Sequence, residues 1–295
     1  MNDRMFELAK DPDCIFAMFS DGGGRLLSAF RPDDARLFYP TGRVNEQYTD
    51  YPEIRKLSGA SGNLVSIYQM ANSDDGYFTG YHDELTSFIR FNGYNFGGDT
   101  EDKTLFARFY FPAAPVSVFI YPIRMSSTIS SMFALNAYIL NAGDKTITIR
   151  GYWNGYGLLV RNFEFEKWYT VAFTKRTLDD GQVHLELWVN GIKVGNTILD
   201  ASYNAMTDDG KRFETCALPT RNVSPLFKQD FAMIFDRVLT DTEIQQYSNQ
   251  PVEVIERQVT EGTWDELFDS SSEKYIGNLP SGSTVKVIPT DRQNT

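Results

Sequence analysis

The sequence predicts an all-β protein, built as a two-sheet antiparallel β-sandwich with N- and C-terminal extensions. Three observations predict it. Short stretches alternate apolar and polar residues with period two, turn residues separate them at close intervals, and aromatic side chains make up 14% of the 295 residues, with 22 Phe and 16 Tyr.

The pattern is clearest between Trp168 and Asn196. Tyr169, Val171 and Phe173 alternate with Trp168, Thr170, Ala172 and Thr174, so two rows of side chains leave one strand on opposite faces. Asp179-Asp180-Gly181 makes the turn to the next strand. There Val183, Leu185, Leu187 and Val189 form one row, and His184, Glu186, Trp188 and Asn190 the other. Asn190-Gly191 supplies the left-handed backbone of a two-residue hairpin turn, and Ile192 starts the return strand. Trp168 and Trp188 are expected in core or inter-sheet packing.

A second segment covers residues 230–247. Phe231, Met233 and Phe235 alternate as a strand. Thr240 and Glu243 then stand at capping-box spacing, with Leu239 and Ile244 placed to staple the start of a short helix.

Taken together, W-Y-x-V-A-F-T from Trp168, L-x-L-W-V-N-G from Leu185 and F-D-R-V-L-T-D-T-E-I from Phe235 resemble the laminin G-like, concanavalin A-like jelly-roll family. The resemblance covers residues 86–250 and implies the jelly-roll sandwich fold. Such sandwiches include lectins, adhesive modules, glycan-cleaving enzymes and virion decorations, so activity has to be argued from the site.

Further strands are predicted at 88–91, 104–111, 116–124, 132–140, 146–151 and 157–163, which brings the tally to about ten. Leu105, Ala107, Phe109 and Phe111 share one face of the second of these. Residues 1–85 read as an N-terminal arm or small subdomain, with apolar stretches at 14–19, 26–30 and 64–70 in an otherwise polar segment. Residues 251–295 read as a C-terminal assembly tail. It has an isolated strand at 252–259, a helical turn at 264–268 and a last strand at 284–288; strands without local partners add to a neighbour's sheet.

The formal charge of −11 is uneven. Residues 1–85 carry 14 acidic and 8 basic side chains, 86–250 carry 17 and 16, and 251–295 carry 8 and 4. Acidic flanks exclude a basic arm for nucleic acid or anionic membrane. No apolar run approaches the roughly 18 residues a spanning helix needs, so no membrane insertion is expected. The start, MNDRMFELAKDPDC, lacks the apolar region of a secretory signal. Cys14 and Cys216 are too few for a disulfide framework; they read as thiols made in a reducing compartment, with their pairing left open.

Several sites compete. Glu164-Phe165-Glu166 is the nearest match to the E-x-D-x-x-E strand of laminarinase-type enzymes, with two carboxylates on one face, but Tyr169 stands where the proton donor belongs. Only His82 and His184 are present, and no Cys/His spacing suits zinc. Asp-Asp-Gly occurs at Asp74, Asp179 and Asp208. Such oxygen-rich turns hold calcium in related sandwiches, but turn chemistry alone accounts for them. No other cofactor is expected.

The most site-like loop is Gly151-Tyr152-Trp153-Asn154-Gly155-Tyr156-Gly157. Tyr152, Trp153 and Tyr156 offer π surfaces to sugar C–H faces, and Asn154 can bond hydroxyls. The plainer alternative is a hairpin whose aromatics cover the sheet or meet another subunit.

A lectin-like sandwich works outside cells, yet no export signal is expected. The first reading is therefore a non-enzymatic bacteriophage virion protein released by lysis: a capsid decoration, head-fibre or tail-appendage subunit. Its partners would be other virion proteins and further copies of itself. The second is a carbohydrate-binding adhesin that recognises a host surface glycan through the 151–157 loop. A glycan-degrading enzyme is the third.

Overall fold

A computed structural model describes residues 8–9, 11–20, 25–30, 39–47, 54–59, 65–68, 70–73, 78–80, 88–92, 102–111, 119–126, 132–139, 146–204, 212–217, 228–248, 268–269 and 274–275. Side chains are described for 8–9, 11–18, 102–111, 120–125, 133–139, 146–204 and 228–248. The chain divides into two compact units, Met1–Ser248 and Asn249–Thr295.

The alternating stretches form strands. In chain order they are β1 (Cys14–Ser20), β2 (Arg25–Phe30), β3 (Tyr39–Gln47), β4 (Ile54–Gly59), β5 (Val65–Tyr68), β6 (Met70–Ser73), β7 (Phe78–Gly80), β8 (Phe88–Asn92) and β9 (Lys103–Phe111). There follow β10 (Phe119–Ser126), β11 (Met132–Tyr138), β12 (Thr146–Trp153), β13 (Tyr156–Glu164), β14 (Lys167–Thr177), β15 (Val183–Val189), β16 (Ile192–Leu199), β17 (Arg212–Ala217) and β18 (Lys228–Phe235).

Among the described residues one sheet runs β1-β2-β3-β4-β6-β7-β18-β9-β14-β15-β16 and the other β13-β12-β11-β10-β17-β8-β5, all antiparallel. One edge of β18 serves two partners. Lys228 and Gln229 pair with Thr79 and Phe78 of β7, while Phe231 to Phe235 pair with β1. Residues 1–85, expected as an arm or subdomain, thus give strands to both sheets. β17 has no counterpart among the predicted strands.

The expected inward rows meet between the sheets. Leu105, Ala107, Phe109 and Phe111 of β9, Tyr169, Val171 and Phe173 of β14, and Val183, Leu185, Leu187 and Val189 of β15 pack with Phe133, Leu135, Ile147, Ile149 and Trp153 of the facing sheet. Gln229 crosses the core. Its Nε2 donates to Pro122 O at 2.8 Å, within the span of β10 where register with β11 shifts and that carbonyl needs a partner.

A second apolar cluster lies on the other face of the first sheet: Phe106, Ala172, Trp188, Phe231, Met233 and Phe235, with Leu8, Leu239 and Ile244. Trp188 belongs here and not between the sheets, because it alternates with the inward Leu187 and Val189. Trp188 is thus in core packing as expected, whereas Trp168 departs from the expected core or inter-sheet packing. It shares that outer face, half-buried, 5.8 Å from Tyr110 and beneath the Arg108 guanidinium at 4.9 Å.

Helix α1 (Asp241–Ser248) covers this cluster with Ile244. Its start is the predicted capping box. Thr240 N donates to Glu243 Oε2 at 2.7 Å, Glu243 N donates to Thr240 Oγ1 at 3.2 Å, and the staple pair Leu239 and Ile244 are both buried.

In the second unit, β19 (Phe268–Asp269) and β20 (Lys274–Tyr275) form an antiparallel pair. Phe268, expected to end a helical turn, is thus a strand residue. The strands expected at 252–259 and 284–288 lie outside the described residues.

Candidate functional site

Residues 151–157 form the hairpin between β12 and β13. Trp153 pairs with Tyr156 and Tyr152 with Gly157, which leaves Asn154 and Gly155 as the turn, at φ 42° and 88°. Positive φ at both positions is what a tight hairpin with right-handed strand twist demands, and Asn-Gly tolerates it best.

The four predicted site residues separate by strand parity. Trp153 turns inward and is 1% exposed, edge-on to Phe133 with ring centroids 5.4 Å apart. Its Nε1 donates to Tyr203 O at 2.8 Å, and the buried Lys175 Nζ sits 5.2 Å above its ring. Trp153 therefore anchors the hairpin and offers no face to a ligand. Tyr152, Asn154 and Tyr156 remain half-buried at the surface.

Sequence reasoning missed Tyr203, which completes the tip. It lies in the 3-10 turn Ala201–Tyr203, is 37% exposed, and meets Tyr156 edge to face at 6.4 Å. Asn154 Nδ2 donates to Tyr203 O at 3.2 Å, and the next residue, Asn204, accepts from Thr177 Oγ1 at 3.1 Å. Two hydrogen bonds and a ring contact thus hold two chain segments as one aromatic tip.

Tyr152 faces the other way, onto the outer surface of the second sheet. The Arg150 guanidinium lies between two rings, 5.0 Å from Tyr152 and 5.3 Å from Tyr138. Arg150 Nε donates to Asn136 Oδ1 at 3.0 Å. Beside this stack the Arg124 guanidinium covers Tyr121 at 4.7 Å. Burial raises the Tyr121 phenol pKa, opposed by the charges of Arg124 and Arg150. The period-two spacing of Arg150 and Tyr152 was the available signal.

The carboxylate pair is not on one strand face. β13 ends at Glu164, β14 starts at Lys167, and Glu166 lies in the turn between them at φ 58°. Glu164 pairs with Lys167 Nζ at 2.6 Å, and Tyr169 Oη donates to the Glu164 carbonyl at 2.8 Å. Phe165 between them packs 6.1 Å from Phe111. A chain reversal, which the linear motif does not reveal, puts the two acids on a turn.

Asp179-Asp180-Gly181 is a hydrogen-bonded turn, with Gly181 at φ 83° and its N–H donating to Leu178 O at 2.8 Å. No group of three metal-ligating side chains occurs among the described residues, and Asp74, Asp208 and His82 lie outside them. His184 sits 3.8 Å from Glu186, whose carboxylate takes Lys193 at 2.6 Å. The Cys14 thiol is buried and donates to Phe16 O at 3.2 Å.

Fold and site together define a two-sheet β-sandwich with an aromatic hairpin tip and an arginine–tyrosine stack on one outer face. No protein-family model matches the chain, and no curated protein matches it. Solved structures with a similar course include three botulinum neurotoxin domains. They are the serotype D binding domain (11% identity, TM-score 0.49, 82% of this chain and 52% of that one), the serotype D/C binding domain (10%, 0.48, 84% and 55%) and the type G receptor-binding domain (12%, 0.46, 80% and 51%). The chain spans about half the length of each. At these values no ligand or partner is carried over from them.

Proposed function

We propose that the chain is a non-catalytic recognition module that binds a carbohydrate at the β12–β13 hairpin tip. The observation that carries this is the Tyr156–Tyr203 pair, set edge to face at 6.4 Å beside Asn154 and rooted by the buried Trp153. Tyr faces stack on the C–H surface of a pyranose, and an adjacent amide bonds its hydroxyls. Because the tip is already hydrogen-bonded, little ordering entropy opposes binding. The position of Glu164 and Glu166 on a hairpin turn supports binding without cleavage. A glycan array tests the reading: retention of a defined glycan class, abolished by Tyr156→Ala in a chain that circular dichroism shows to be folded, supports it. Retention unaffected by Tyr156→Ala rejects it.

A second reading makes the chain a structural subunit of a bacteriophage particle, assembled with further copies and released by lysis. It is favoured by exposed apolar residues on the two edge strands at one side of the sandwich: Ile192 (67% exposed) and Ile198 (56%) on β16, and Leu159 (41%) on β13. The two edges pack closely, since a Cβ on Gly195 would lie 3.4 Å from Leu158. Apolar edges of this kind are usually covered in assemblies. A monomeric mass at micromolar concentration, together with absence from purified particles, rejects it.

A further inference from the structure

Asn204 follows Tyr203 and closes the Ala201–Tyr203 turn, its backbone N–H donating to Ala201 O at 3.0 Å. It is half-buried, one residue from the exposed Tyr203 ring. The two ends of its amide are differently placed. Oδ1 accepts from Thr177 Oγ1 at 3.1 Å, whereas Nδ2 makes no hydrogen bond among the described residues and is open to solvent.

Lys175 stands behind this arrangement. It continues the inward row Tyr169, Val171 and Phe173 of β14 and is 0% exposed. Its Nζ donates to Thr177 Oγ1 at 2.6 Å while lying 5.2 Å above the Trp153 ring. The Thr177 hydroxyl, held in place by a bond from its own backbone N–H to Asp102 Oδ1 at 2.8 Å, passes a proton on to Asn204 Oδ1. Each bond in such a chain polarises the next, so the amide at its far end is a stronger donor than an isolated asparagine. From the other side, Trp153 Nε1 and Asn154 Nδ2 both donate to Tyr203 O. The turn is therefore held from β14 and from the hairpin, and the donor end of Asn204 is fixed beside the aromatic tip.

We propose that Asn204 is a sugar-contacting residue, its Nδ2 donating to an oxygen of the pyranose that covers Tyr203, with Thr177 and Lys175 as positioning residues behind it. The proposal rests on the glycan-binding reading of the Tyr156–Tyr203 tip. A pyranose on Tyr203 carries hydroxyl or acetamido carbonyl oxygens at its rim, and a fixed donor there selects the sugar that places an acceptor at that point.

The test prints neutral and N-acetylated oligosaccharides on an array, each beside its monodeoxy and de-N-acetylated derivatives. Asn204→Asp keeps an oxygen for Thr177 and replaces the donor with a second acceptor. It is expected to cut retention by about tenfold in a chain that circular dichroism shows to be folded. One derivative lacking a single oxygen should lose as much on the wild-type chain and nothing further on Asn204→Asp, a coupling that a purely structural role does not produce. Thr177→Val should also weaken retention, and Thr177→Ser, which keeps the hydroxyl, should restore it. Wild-type retention by folded Asn204→Asp overturns the inference and leaves the glycan reading intact, as does an additive loss with every derivative. If Asn204→Asp does not fold, the Thr177 pair decides, and equal retention by Thr177→Val and Thr177→Ser overturns the inference. No retention of any printed sugar by the wild-type chain overturns the glycan reading and this inference with it.

Discussion

Gly151 of β12 and Phe173 of β14 face each other across the sandwich so closely that a Cβ on Gly151 would lie 2.3 Å from Phe173 Cδ2. The glycine is the reason β12 can lie flat on the ring just before the strand enters the hairpin tip. Gly151→Ala should destabilise the fold by about 1–3 kcal/mol through overpacking, and Phe173→Leu in the same chain should recover part of the loss. Urea titrations of the single and double variants check this.

Gln229 joins the sheets through Pro122 O. Gln229→Met keeps the volume but strands that buried carbonyl, at a cost of about 1–3 kcal/mol. The same titration reads it.

Arg237 binds both Asp11 and Glu243, which ties the start of the chain to the closing helix. Its hydrogen bond to Glu243, aided by the bonds from Thr240, lowers the Glu243 pKa from 4.5 to about 2. A carboxyl depressed on folding stabilises the native state above its unfolded pKa, and that stability is lost as pH falls through the folded value. The melting point should therefore drop between pH 4.5 and 2, and the drop should be shallower in Glu243→Gln. Thr240→Ala, which removes the N-cap, should cost about 1 kcal/mol at neutral pH.

Trp153 and Tyr156 sit on the same hairpin but have different work. Trp153→Phe gives up the Nε1 bond to Tyr203 O, which should lower stability by about 0.5–1.5 kcal/mol and weaken binding by loosening the tip. Tyr156→Ala, which removes a half-buried ring packed on the core rim and on Tyr203, should abolish binding in a chain that stays folded. Calorimetric melts alongside array retention separate the two.

Sequence showed most where the determinants are local. The Asn190-Gly191 turn, the alternation along β14 and β15, and the Thr240–Glu243 capping box each depend on neighbours a few residues apart, and all three appear as expected. What it concealed depends on distant strands. That β1 would seat on β18 and share its edge with β7 follows from no local pattern. Trp153 looked like a ligand platform because its row on β12 carries Gly151 as well, and a glycine blurs which face is inward. Tyr203 was illegible, since only the folded chain brings the turn after β16 against the β12–β13 hairpin.

The most direct test of the account is a crystal structure of the chain with a bound oligosaccharide selected on the array. The complex should show a pyranose ring against Tyr156 and Tyr203, with Asn154 on its hydroxyls. Electron density for the sugar on a different surface, with the hairpin tip empty, would contradict it.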